Sequence, residues 1–334
     1  MFKGKKVLVT GATGSFGHHI VKELVKKDVK EIIVFSRDEK KQHDMKFEFA
    51  GETRLRYVIG DIREKDSLRR IMDGVDIVYQ AAALKHVPAC EENVWQAVQT
   101  NITGAQNVVD VSLEANVEKV VAIYTDKAVE TVNVMGITKA IQERIFIGAN
   151  KFAKAGRPLF SCVRYGNVLG SRGSILPVFR LLAARKQPLT ITDPRMTRFI
   201  LTLDEAIELV IFATEQMVGG EIFIPKIAAH KVSDLADAFI EVMKPENRGT
   251  KTIGIRPGEK IHETLIAGVE SLRTVELKGY YVILPKIHLD TIEKKYPNFL
   301  NPKLFTFSSE NAEQLTKARL EDLLRSYHHA VEES

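Results

Sequence analysis

Val7-Leu8-Val9-Thr10-Gly11-Ala12-Thr13-Gly14-Ser15-Phe16-Gly17 opens the chain and decides its fold. Val7–Thr10 reads as a buried strand, and helical spacing follows over residues 15–27. Between them Gly11 allows the tight turn, Gly14 a close backbone approach to a pyrophosphate, and Gly17 close packing of helix on strand. Thr13, Ser15 and Phe16 complete the turn. The helix start would offer N–H groups and a partial positive charge to phosphates.

Outward from this turn, apolar runs alternate with helix-length segments. Strands are expected at Ile32–Phe35, Leu55–Ile59, Ile77–Tyr79, Val120–Tyr124 and Phe160–Arg164. Helices are expected near 64–72, 91–115 and 134–155. That rhythm predicts an α/β, Rossmann-type doubly wound parallel sheet covered on both faces. After residue 165 the rhythm loosens, with helices near 175–185, 204–217 and 232–243. Residues 1–165 therefore read as a dinucleotide-binding domain. Residues 166–334 read as a smaller C-terminal substrate lobe, some of whose segments return to the first domain. Residues 270–334 carry little periodicity.

The chain has 334 residues, 45% of them apolar and 27% charged, ample for a globular core. Lys plus Arg number 48 against 43 Asp plus Glu, an excess too small and dispersed to indicate a nucleic-acid partner. Two cysteines exclude a disulfide scaffold and fit a reducing compartment. Neither a signal peptide nor a membrane-spanning segment is legible, so a cytoplasmic protein without a membrane partner is expected. No His/Cys/Asp spacing points to a metal.

The glycine spacing is G-x-x-G-x-x-G, which resembles the extended short-chain dehydrogenases. After the second strand stands Ser36-Arg37-Asp38. A hydroxyl and a guanidinium suit a 2′-phosphate, so NADP is preferred; if Asp38 instead reads the ribose, NAD fits. Asp61-Ile62 follows the third strand, where adenine is expected. Ala81-Ala82-Ala83 follows the fourth and leaves room for the cofactor.

Dehydrogenases of this class carry Tyr-x-x-x-Lys on a helix, which puts both side chains on one face. Here the stretch is Met135-Gly136-Ile137-Thr138-Lys139. A thioether exchanges no proton, so another group must serve. Thr125-Asp126-Lys127 ends the fifth strand and faces the crevice. An acid beside an ammonium in a partly dry cleft can divide acid and base roles; the plainer reading is a surface ion pair or helix cap. For the substrate side, Arg198 and Arg256 are candidate diphosphate ligands and Asn167 a ligand of phosphate or sugar oxygens. Glu259 would accept from ribose hydroxyls, and Lys85 and His86 would contact sugar or nicotinamide.

Ala81–Pro88, Thr125–Ala128, Asn133–Lys139, Arg164–Val168, Ser171–Ser174, Met196–Phe199 and Arg256–Lys260, in this order, resemble the UDP-N-acetylglucosamine 4,6-dehydratases of bacterial surface-glycan and pseudaminic-acid pathways. The resemblance covers residues 3–265. It implies a lyase in which a cofactor removes hydride from carbon 4 and returns it to carbon 6 after water is lost across carbons 5 and 6. It makes Lys127 the base at carbon 5 and Asp126 the proton donor to the carbon-6 hydroxyl, with Thr125 and Lys139 bonding sugar or nicotinamide ribose. It further implies Asn101 and Tyr165 at the cofactor, and Arg172, Ser174 and Thr197 at the substrate. A homo-oligomer is expected on the same ground. Met135 leaves open which group takes the carbon-4 hydroxyl proton, Asp126 being the leading substitute. It also leaves open whether carbon 5 is inverted, retained or released as a 5,6-ene. The rival readings are a UDP-sugar 4-epimerase and a non-catalytic NADP-binding scaffold.

Overall fold

A computed structural model describes residues 1–334 except 172, 248, 287–288, 298–302 and 333–334; for 289 and 329–332 it describes the backbone alone. The first half runs β1 (Lys6–Thr10), α1 (Ser15–Val25), β2 (Glu31–Ser36), α2 (Glu39–Glu48), β3 (Leu55–Ile59), α3 (Lys65–Met72) and β4 (Ile77–Gln80). It continues with α4 (Val87–Glu92), α5 (Val94–Ala97), a π-helical stretch (Val98–Thr103), α6 (Gly104–Glu114), β5 (Lys119–Thr125), α7 (Val134–Ala149) and β6 (Leu159–Tyr165). The second half brings β7 (Asn167–Val168), α8 (Ile175–Ala184), β8 (Leu189–Ile191), β9 (Thr197–Leu201), α9 (Leu203–Gln216), β10 (Ile222–Pro225), β11 (Ala229–Lys231) and α10 (Val232–Met243). Then come β12 (Thr250–Thr252), β13 (Thr264–Ile266), α11 (Gly268–Ser271), β14 (Thr274–Leu277), β15 (Tyr280–Ile283), α12 (Leu289–Lys295), β16 (Phe307–Ser308) and α13 (Lys317–Glu332).

The large sheet has the order β14-β15-β10-β6-β5-β4-β1-β2-β3. From β10 to β3 neighbouring strands are parallel; β14 and β15 are antiparallel. Strand order reverses between β1 and β4, so a crevice opens at the carboxyl ends of the strands there. Three strands of this sheet, β10, β14 and β15, come from beyond residue 165.

Both sheet faces are buried, which is why the strands read as continuous apolar runs. Leu8, Ile33, Val78 and Val120 pack on one face with α3, α6 and α7. Val7, Val9, Val34 and Tyr79 pack on the other with α1 and α9. Each such side chain contributes about 1.5–3 kcal/mol. The smaller lobe has its own core, with Phe179 of α8, Phe239 of α10 and Leu320 of α13.

Helix α2 lies where no helix was expected. Its sequence EKKQHDMKFE has no apolar stripe, and only Gln42 and Met45 are buried. It starts because the Asp38 side chain accepts from the Lys41 N–H. The expected helix over 91–115 is broken at Asn93 and passes through the π-helical stretch. The expected helix over 134–155 stops at Ala149.

Candidate active site

A cleft of about 1050 Å³ runs over the carboxyl ends of β1, β2, β4, β5 and β6. Its floor is the glycine turn. Gly11 has φ +64, and a Cβ there would lie 2.8 Å from the Ala82 backbone. A Cβ on Gly17 would lie 2.4 Å from the Gly11 carbonyl oxygen, so α1 meets the turn backbone to backbone. Helix α1 opens without a side-chain cap and without an acid in its first turn. That start is suited to a pyrophosphate. Thr13, Ser15 and Phe16 line this end of the cleft.

Ser36, Arg37, Asp61 and Ile62 line the next part. The Asp38 carboxylate caps α2 and pairs with Lys41 Nζ at 2.5 Å. Arg37 is half exposed and lies 3.4 Å from Asp61. Lys41, which sequence reasoning passed over, lines the cleft beside it; as a helix residue without apolar spacing it gave no signal. Burial pushes the Asp61 carboxyl up, but bonds from Arg63 outweigh this and hold it below its ordinary range. Ala81, Ala82, Ala83, Lys85 and His86 form the wall after β4. A Cβ on Gly173 would lie 1.8 Å from His86 Cε1, so the two loops meet over the cleft.

Asn101 is elsewhere. It is fully buried, and its amide bonds both the N–H and carbonyl of Leu84 and the Thr138 hydroxyl. It braces the β4 loop and does not line the cleft.

Thr125, Lys127, Met135, Lys139 and Tyr165 converge on the cleft. Asp126 does not reach it: the residue is fully buried, one layer behind. Its Oδ1 accepts from the Thr125 hydroxyl at 2.8 Å and from Lys127 Nζ at 3.0 Å. Its Oδ2 has no hydrogen-bond partner among the described residues. Burial pushes the Asp126 carboxyl up, against the opposing pull of Lys127. Burial works against the Lys127 charge, but Asp126 and Glu263 outweigh it and raise its affinity for a proton.

Why the chain turns here is visible locally. Asn133 caps α7 by accepting from the Gly136 N–H at 2.7 Å. A Cβ on Gly136 would lie 2.4 Å from the Lys127 carbonyl, so only glycine lets α7 cross the Lys127 turn. Met135 beside it is buried with Cys90 and Ala97. Lys139 donates to the Ile123 carbonyl at 3.1 Å, and burial brings its ammonium down to about 8.

Lys127 also lies 3.3 Å from Asn167 Oδ1 and 3.5 Å from Glu263 Oε1. Glu263 is 2% exposed and also faces Lys260 Nζ at 3.1 Å and Arg198 Nε at 3.7 Å. Sequence reasoning missed it, although it stands three residues after the quoted Arg256–Lys260.

Ser174, Arg198, Arg256 and Glu259 line both the cleft and an adjoining cavity of about 210 Å³. The Arg198 guanidinium already donates to the carbonyls of Thr197, Lys260 and Ile261. Arg256 is more than half exposed, its Nη1 3.7 Å from Glu259. Ser174 Oγ is buried without a partner among the described residues, at the start of α8. Thr197 points the other way along β9, bonding His262 and Ser309. Arg172 lies outside the described residues. The small cavity also includes His230, missed in the sequence, whose burial holds its imidazolium form down.

A family model described as polysaccharide biosynthesis protein matches residues 7–285. The chain is 44% identical over 323 residues to a UDP-N-acetylglucosamine 4,6-dehydratase (inverting) of Campylobacter jejuni, covering 94% of this chain and 95% of the relative. It is 37% identical over 343 residues to a UDP-glucose 4-epimerase of Rickettsia felis, covering 100% and 99%. Among solved structures it is similar to Pen from Bacillus thuringiensis, with a TM-score of 0.90, 36% identity and 98% of each chain covered.

Proposed function

The chain belongs to the polysaccharide biosynthesis protein family, and from that premise we propose that it is a UDP-N-acetylglucosamine 4,6-dehydratase. Its product is a UDP-4-keto-6-deoxy-N-acetylhexosamine. One observation carries the reading: a carboxyl and an ammonium 3.0 Å apart end the strand beside the cofactor cleft, where Met135 offers no proton.

The glycine cradle, the uncapped start of α1 and the small residues after β4 fit a dinucleotide. Arg37 and Lys41 favour NADP over NAD, because two cations flank the 2′-phosphate corner while Asp38 is occupied as a cap. The chemistry a bound NADP supplies is the borrowing of hydride from carbon 4 and its return to carbon 6. The protons are the protein's work. As carbon 4 is oxidised, its hydroxyl proton passes through the Thr125 hydroxyl to Asp126 Oδ1. The carbon-4 ketone acidifies carbon 5, and Lys127, having given its ammonium proton to solvent through the open side of the cleft before the cycle begins, removes the carbon-5 proton as the amine. Asp126 returns its proton through Thr125 to the carbon-6 hydroxyl, which leaves as water. Carbon 5 then takes a proton from water on the face opposite Lys127, which inverts it, and the Lys127 ammonium neutralises the hydroxide left behind. The balance closes: the carbon-4 hydroxyl proton departs in the water. This relay stands in for the tyrosine that Met135 replaces.

Arg256, Ser174 and the start of α8 take the diphosphate, with Arg198 in support. The small cavity beside them takes the uridine, Glu259 bonding its ribose. Asn167, Lys85 and His86 meet the sugar. Lys139 meets the nicotinamide ribose. The reaction class is a lyase, inverting at carbon 5 as in the named C. jejuni relative, in a cytoplasmic homo-oligomer. None of the described helices is long and apolar enough to cross a membrane.

The Rickettsia relative supports a second reading, 4-epimerisation of a UDP-sugar. Incubation with UDP-N-acetylglucosamine decides between them by product mass. Loss of one water means dehydration, an isobaric product means epimerisation, and an unchanged substrate sinks both. Denaturing the same sample and identifying the released nucleotide tests NADP.

A further inference from the structure

Lys127 stands between two carboxylates whose surroundings differ. Asp126 is fully buried, and its Oδ2 meets no donor among the described residues. Glu263 is almost as deeply buried, and its Oε2 likewise makes no hydrogen bond among the described residues, but it lies within ion-pair distance of three cations: Lys127 at 3.5 Å, Lys260 at 3.1 Å and Arg198 at 3.7 Å. Lys260 is itself held by the Val129 carbonyl at 2.9 Å, and Arg198 by three carbonyls. Nothing in that arrangement turns easily.

We propose that Glu263 is the fixed counter-ion of Lys127, and that it thereby frees Asp126 to carry a proton. The inference rests on the dehydratase reading and deepens it. In that reaction Asp126 is neutral while Lys127 becomes an ammonium. Without a second anion, the ammonium would have, among the described residues, only the neutral Asp126 carboxyl and the Asn167 amide oxygen beside it. Leaving a buried charge unpaired is costly, and Asp126 would have to stay ionised to prevent it. With Glu263 present, Lys127 is a stronger base and Asp126 a better holder of a proton. Where two acids flank one base, the environments that push them apart assign the roles.

The directions agree. Burial pushes the Glu263 carboxyl up, but Lys127, Arg198 and Lys260 outweigh it and keep it ionised. The Glu263 charge raises proton affinity at both Asp126 and Lys127. Other charged groups nearby are spoken for. Lys139 on α7 is bonded to the Ile123 carbonyl. Glu143 on α7 and Arg164 on β6 pair with each other. Glu130, on the loop after Lys127, accepts from the Thr264 hydroxyl of β13. Glu263 lines the cleft behind Lys127 and, on this proposal, acts through Lys127 as a positioning residue.

The test is Glu263→Gln in the full-length, cofactor-loaded protein. Its kcat for water loss from UDP-N-acetylglucosamine falls at least about tenfold while KM stays within about threefold. Both limbs of the kcat–pH profile move to lower pH, because the couple loses proton affinity as a unit. Isotope-edited infrared of the resting protein, with Asp126→Asn identifying the band, reads the carboxyl directly. Its protonation midpoint drops in Glu263→Gln and recovers in Glu263→Asp, which keeps the charge. An infrared midpoint that does not move overturns the proposal, whatever happens to kcat. A kcat within twofold of wild type also overturns it. If the midpoint moves but even the wild type removes no water, the dehydratase reading fails and the counter-ion assignment stands. Matching melting temperatures keep a folding defect from imitating the effect.

Discussion

Two buried charge clusters lie side by side at the ends of β5 and β6, and each sets two carboxylates around one cation. In the first, Arg164 donates to both oxygens of Glu143 at 3.1 and 2.7 Å and to both oxygens of Glu270 at 2.9 and 3.1 Å. A fifth bond goes to the Leu265 carbonyl at 2.7 Å. All three side chains are nearly inaccessible, and every donor of the fork is directed. In the second, Lys127 keeps 22% of its side chain open to the cleft, and one oxygen of Asp126 has no hydrogen-bond partner among the described residues. The first cluster is saturated and ties β6 to α7 and α11. The second is left unfinished where substrate would lie. A guanidinium cannot give up its proton in a protein, whereas an ammonium can. Two carboxylates around one cation therefore make a clamp in one place and, on the proposed mechanism, proton chemistry in the other.

The comparison can be broken at either cluster. The largest effect is expected from Lys127→Ala and Asp126→Asn. Each should cut water loss about 100- to 10,000-fold, the span of general acid–base catalysis, while cofactor remains bound. Product mass and cofactor retention are measured together; near-normal turnover in either variant removes the second cluster from the chemistry. Next comes Arg164→Met, which strands two buried carboxylates. It should cost about 3–5 kcal/mol of stability in denaturant unfolding. If it unfolds no more easily than wild type but loses turnover, Arg164 belongs with the reacting groups after all.

The smallest effect concerns Lys139, which shares α7 with Glu143 and so stands between the clusters. Burial lowers its folded-state value from 10.5 to about 8. Between those two pH values the unfolded chain holds the proton that the native chain has released. Stability therefore rises with pH across that window. Against Lys139→Met, which titrates nothing there, wild type should gain on the order of 2 kcal/mol from pH 8 to 10.5. A difference that stays flat with pH would mean the ammonium is paired more strongly than its bond to Ile123 indicates.

The glycine turn was legible because its constraint is local. Gly14 and Gly17 answer steric demands set by Gly11 and Ala12 a few residues away, and although the β4 loop also presses on Gly11, the strand and helix flanking the turn have clear periods. Thr125-Asp126-Lys127 was legible as a candidate through its position after a buried strand. Its inner arrangement was not, since adjacent residues on one turn do not declare which faces the cleft. Asn101 and Thr197 illustrate the opposite difficulty. Asn101 is consumed by the Leu84 backbone and the Thr138 hydroxyl, and Thr197 by the His262 imidazole and the Ser309 hydroxyl, all 17 to 112 residues away. Helix α2 escaped because a side-chain cap starts it and no apolar stripe announces it. Lys41 escaped with it.

The amino-acid order alone determined the doubly wound sheet, the glycine turn after the first strand, the absence of a proton-exchanging side chain at Met135 and the acid–ammonium pair at the end of the fifth strand. These depend on residue type and short-range spacing. Folding decided that Asp126 sits behind Lys127, that β10, β14 and β15 extend the first sheet, and that Glu263 arrives from 136 positions further along the chain. Those outcomes depend on which distant segments are brought into one desolvated volume. Interaction strength between charges is set by that burial and distance, and neither is written in the local order of residues.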